Sequence, residues 1–128
     1  MTYYFAKTLT VGFDEAVART TDALKQEGFG IITEIDVTKT FKDKLAIDFR
    51  KYRILGACNP SLAHEALSLE DKVGTMLPCN VIVQETEDGR CEVAAIDPVA
   101  SMQAIDSPAL AQAAETVREK LRSVIERL

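Results

Sequence analysis

The sequence predicts an α+β fold: two layers, a mostly antiparallel sheet of about five strands with helices on one face. Three observations carry this expectation. Short aromatic and β-branched runs alternate with segments of helical period. The runs 79–86 and 90–96 flank Asp88-Gly89, a hairpin turn pair. The C-terminal segment has the strongest 3.6-residue periodicity in the chain. With 128 residues, one domain spanning 1–128 is expected.

The first strand is predicted over Tyr3 to Thr10. Gly12 and Asp14 open a helix whose inner stripe is Ala16, Val17, Thr20, Ala23 and Leu24. Gly28 ends it at the position after the cap, where a left-handed backbone costs glycine little. The second strand runs from Gly30 to Asp36, and Asp36 or Thr38 caps a short helix with Phe41 and Leu45 on one side. Tyr52 to Cys58 is nearly continuous in apolar character, so it reads as a strand inside the sheet. Asn59-Pro60 follows as an N-cap with proline at the first helical position, and Leu62, Ala63, Ala66 and Leu67 mark that helix. Residues 71–78, with Gly74 and Pro78, read as a loop or broken turn. Asp97-Pro98 stops the fifth strand. Ser107-Pro108 starts the last helix, with Leu110, Ala114, Val117, Leu121, Val124, Ile125 and Leu128 as its stripe. That stripe packs on the sheet, and part of it, or a sheet edge, is also a candidate two-fold contact.

Composition narrows the function classes. Hydrophobic residues make up 47% and charged residues 27%, which is globular composition. The 15 Lys plus Arg against 20 Asp plus Glu give a formal charge of −5. No basic cluster offsets this, which argues against nucleic acid as a partner. No apolar run reaches the ~18 residues of a membrane span, and the N-terminus lacks a signal-peptide pattern. Three cysteines cannot all pair within one chain, so a reducing, cytoplasmic setting is expected.

Several stretches carry a resemblance: Gly28-Phe29-Gly30, Glu34-Ile35-Asp36, Tyr52-Arg53-Ile54-Leu55-Gly56-Ala57-Cys58-Asn59-Pro60 and Leu77-Pro78-Cys79-Asn80-Val81. With these the chain resembles the bacterial and archaeal family of domain of unknown function 302, over almost its whole length to about Pro98. The resemblance implies a two-layer α/β fold related in outline to the TATA-binding-protein-like class, and a homodimer. It implies no activity.

Cys58 is the leading candidate site residue, one position before the N-cap Asn59 of a helix begun by Pro60. Exposed amide N–H groups at a helix N-terminus favour an anion and lower a thiol's pKa. The competing reading is a small buried hydrophobe. Cys79 opens the fourth strand; if the third and fourth strands are neighbours, the two thiols meet at the sheet's end. They would form a reversible dithiol or, with His64, an incomplete soft-metal set. A solvated helix-face histidine is the favoured reading of His64, and Cys91 reads as packing. Glu34 and Asp36, two apart on a strand, share one face and suit acid–base work or a cation, although solvation and capping explain them as well. Lys44, Lys51, Tyr52 and Arg53 are charge or hydroxyl candidates near in sequence. Gly28-Phe29-Gly30 lacks a third glycine and follows a helix, so no dinucleotide fingerprint is present. One histidine and no nucleophile elbow leave no complete catalytic set.

The leading expectation is therefore a homodimeric small-ligand or anion-binding module, with a site built from Cys58, Asn59, Pro60, Cys79, Glu34 and Asp36. The alternative is thiol redox or soft-metal binding through Cys58 and Cys79.

Overall fold

The computed structural model, which describes residues 2–128, has five strands: β1 (Tyr4–Leu9), β2 (Gly30–Asp36), β3 (Tyr52–Cys58), β4 (Cys79–Glu85) and β5 (Cys91–Ile96). Every neighbouring pair is antiparallel, in the order β1-β5-β4-β3-β2. The helices are α1 (Phe13–Gln26), α2 (Val37–Leu45), α3 (Pro60–Leu69), the single turn α4 (Pro98–Ser101) and α5 (Pro108–Arg127). The fold class is α+β, as the sequence predicts.

Local chemistry accounts for most boundaries. Gly28 has φ +85°, in the left-handed region, and turns α1 back into β2. Asp36 caps α2 by accepting from the Lys39 amide at 3.0 Å. Asn59 caps α3 from the Leu62 amide at 3.2 Å, and Ser107 caps α5 from the Leu110 amide at 3.2 Å. Gly89, at φ +80°, closes the β4–β5 hairpin. Two details depart from the expectation. Residues 71–76, expected as a loop or broken turn, form a 3₁₀ helix, and Asp97 starts the turn α4 by accepting from the Val99 amide at 3.0 Å.

The sheet's two faces differ. Leu55 and Ala57 of β3, Val81 and Val83 of β4, and Cys91, Val93 and Ala95 of β5 are buried against the helices. Phe13, Ala16, Ala23 and Leu24 of α1 and Leu121, Val124 and Ile125 of α5 complete this main core. Full burial of each Leu or Val contributes about 1.5–3 kcal/mol over exposure. A second, smaller cluster joins Ala66 of α3, Val73 of the 3₁₀ turn and Leu110 of α5. No helix is long and apolar enough to cross a membrane among the described residues.

Candidate functional site

Between the two clusters lies a cavity of about 250 Å³. Its floor is the end of the sheet, where Ala57 and Cys58 close β3 and Cys79 opens β4. Antiparallel pairing sets Ala57 opposite Cys79, which is what brings the two cysteines to one wall. Leu62, Ala63 and Ala66 of α3 form a second wall; Leu110, Ala113, Ala114 and Val117 of α5 form a third. Pro98 and Met102 lie beside them. Among the described residues, Asn59 supplies the one polar side chain other than the thiols, and its oxygen already holds the Leu62 amide.

The rim is built by a β-bulge. The β2–β3 register steps from Ile31 opposite Ala57 to Thr33 opposite Gly56, so Ile32 has no partner. Bulges re-aim side chains. Here Ile32 is 61% exposed while lining the cavity, and Leu67 at 44% does the same from α3. These two mark where the cavity meets solvent. Gly56 is required at the bulge, because a Cβ there would lie 2.0 Å from Thr33 Oγ1 and 2.8 Å from Pro78 Cγ.

The thiols are free. Burial, and then the neighbouring Cys58, pushes the Cys79 thiol up to about 11, so it stays protonated at neutral pH. Burial, followed by Glu85, also raises Cys91, which sits in the main core and away from the cavity wall.

The other candidates lie elsewhere. Pro60 starts α3 but does not line the cavity. Glu34 and Asp36 share a face, yet β2–β3 pairing sets them opposite Leu55 and Arg53. Arg53 lies 3.2 Å from Glu34 and 3.9 Å from Asp36, an ion-paired trio. Asp36 is six residues from Gly30, the partner of Cys58, so about 20 Å of strand separates it from the thiol. Lys51, Tyr52 and Arg53 sit at that same far end, beside Phe13 and Phe49. Lys44 is exposed on α2. His64 is exposed, and no group of three or more His, Cys, Asp or Glu that could hold a metal occurs among the described residues. The soft-metal reading of Cys58, Cys79 and His64 therefore finds no ligand set here.

The cavity's hydrocarbon walls were not part of the sequence-based site. One signal points to them. Ala57, Ala63, Ala66, Ala113 and Ala114 all line the cavity, and each stands where a larger residue would fill it. On α5, the stripe is large at Leu121, Val124 and Ile125 but small at Ala113 and Ala114.

Comparison with solved structures gives a crystal structure of an uncharacterized conserved protein DUF302 from Bacillus stearothermophilus. The two are 28% identical, with a TM-score of 0.92 over 99% of this chain and 98% of that one. Comparison with the curated proteins returns no match. The family model described as Domain of unknown function DUF302 matches residues 5–128. A match over nearly the full length, with the fold shared throughout, places the chain: it belongs to the DUF302 family.

Proposed function

We propose that this protein is a homodimeric small-ligand-binding module, and that its ligand is uncharged and largely hydrocarbon. One observation carries the ligand class. Among the described residues, the cavity beside the Cys58–Asn59–Pro60 turn is lined by no charged side chain, and by Asn59 alone among amides and hydroxyls. An ion entering it would lose water and find no counter-charge, a cost of several kcal/mol. An apolar group meets the opposite balance, about 25 cal/mol for each Å² removed from water. The anionic version of the expectation thus has the weaker support, since Asn59 already occupies the Leu62 amide. Cavities of about 150 Å³ hold benzene. This one accommodates a somewhat larger body.

The test is thermal denaturation with a matched set of probes: 1-octanol, sodium octanoate and phosphate. Octanol should raise the melting temperature most, octanoate less, and phosphate not at all beyond its general salt effect. Ala63→Phe, which fills the cavity from α3, should remove the octanol response while the protein remains folded. A response to phosphate alone, or none to any hydrocarbon, would refute the reading.

A thiol-exchange role has less support. Cys58 and Cys79 do share the wall, but the raised Cys79 thiol is a poor source of thiolate at neutral pH. Thiol titration separates the two: reaction of either cysteine well below pH 8 would favour exchange.

A further inference from the structure

On the side of the sheet away from α1 and α5, the described residues Ala6, Ile35, Ile54, Ile82 and Ala94 are exposed or only part-buried. On an antiparallel sheet with one wet face, outward residues are ordinarily polar. Here strand register sets Ile35, Ile54, Ile82, Ala94 and Ala6 directly opposite one another, one from each strand. These five form an unbroken apolar row crossing the whole sheet. Ile35 is 49% exposed on the edge strand β2, and Tyr4 is 43% exposed on the other edge. On the side of the row that carries Gln84, the polar groups pair with each other. Arg50 Nε donates to Gln84 Oε1 at 2.9 Å, and Gln84 Nε2 donates to Glu92 Oε1 at 2.9 Å.

We propose that this face is the homodimer interface, covered by the same face of a second copy. This deepens the homodimeric part of the function proposed above and is independent of its ligand part. Three arguments select a second copy over another partner. The first is charge. Two chains of −5 repel, but among the described residues the charged side chains bonded into this face are one of each sign, Arg50 and Glu92, joined through Gln84. It is a place where copies can meet without opposing like charges.

The second argument is self-complementarity. A two-fold axis along the central strand β4 lays β4 on β4, β3 on β5 and β2 on β1. Ile82 then meets Ile82, Ile54 meets Ala94, and Ile35 meets Ala6. Away from the axis every bulky residue of the row faces a small one, which lets sheets stack at about 10 Å with interdigitated side chains.

The third argument is area. Five strands about 4.8 Å apart, each about 20 Å long, give a footprint of about 480 Å². Side-chain relief and the flanking tyrosines carry its accessible surface toward the ~800 Å² per partner of a standard interface. The cavity meets solvent at Ile32 and Leu67, neither of which belongs to the apolar row.

Sedimentation velocity and light scattering on the full chain test the proposal. The wild type should have twice the 14.1 kDa chain mass. Ile82→Lys, at the centre of the row, should give a folded monomer by circular dichroism. Should that variant not fold, Ile35→Lys carries the test. It changes a half-exposed position, should leave the fold intact and should raise the dimer dissociation constant at least tenfold. A monomeric wild type overturns the proposal, as does a dimer undiminished by either substitution. The octanol response should persist in the monomeric variant, so loss of pairing and loss of ligand binding are separately visible.

Discussion

Helix α5 serves two cores that are packed in different ways. Toward its C-terminal end, Leu121, Val124 and Ile125 meet the sheet and α1 with nearly complete burial. Toward its N-terminal end, Leu110 meets only a small cluster around Ala66 and Val73, and Ala113 and Ala114 border empty space. The sequence spends large side chains where the fold must hold and small ones where a hollow is left. Between the two clusters the side chains fall short of filling the space, and the candidate site is that shortfall.

Substitutions at the two ends of α5 should separate the cores. The largest effect belongs to the main core. Leu121→Ala should cost about 3–5 kcal/mol in urea unfolding, because surrounding strands cannot collapse into the space. Leu110→Ala, beside an existing cavity, should cost about 2–3 kcal/mol, since fewer neighbours are lost. Equal costs would erase the distinction.

Next comes pH. Cys79 is a thiol whose folded value, about 11, lies above its ordinary 9.0. The native state therefore keeps a proton that the unfolded chain gives up. Stability is full below pH 9 and falls as pH rises toward 11, by roughly 2–3 kcal/mol for two units. Denaturant melts across that range should show the fall, and Cys79→Ala should flatten most of it. Cys91, also raised by burial, leaves a residual slope.

A smaller effect is expected at the mouth of α3. Asn59→Ala removes the cap on the Leu62 amide and should cost about 1 kcal/mol. The smallest lies at the far end of β3. Glu34 is half-exposed in its pair with Arg53, so Glu34→Gln should shift stability by less than about 1 kcal/mol and leave ligand binding unchanged. A large loss of octanol binding in that variant would reconnect the two ends of the strand.

The contrast also shows what a sequence can reveal. Caps and turns are local, so Asn59, Ser107 and Gly89 could be assigned from neighbouring residues and the α2 cap narrowed to Asp36 or Thr38, and the strands and helices followed from their periods. The single turn α4 is too short to have a period. The Cys58–Asn59 junction was legible for the same local reason, and Cys79 became its neighbour once β3 and β4 paired. Glu34 and Asp36 were correctly set on one face, but Arg53, seventeen residues beyond Asp36, becomes their partner only through β2–β3 register. The cavity is less legible still. Its walls come from Phe29, Ala57, Leu62 and Leu110, which no window of sequence contains together. The apolar outer row was hidden likewise: Ile82 alternates with Val81 and Val83, and alternation cannot say which column faces the helices.

Methyl-detected NMR titration with 1-octanol decides whether the hollow between the two cores takes an apolar ligand. Saturable shifts are expected at the methyls of Leu62, Ala66, Met102 and Leu110, with Ile47 at the opposite end of the sheet unmoved. Shifts centred on Ile47 and the groove between Asp36 and Arg53, or none at saturation, would contradict that expectation.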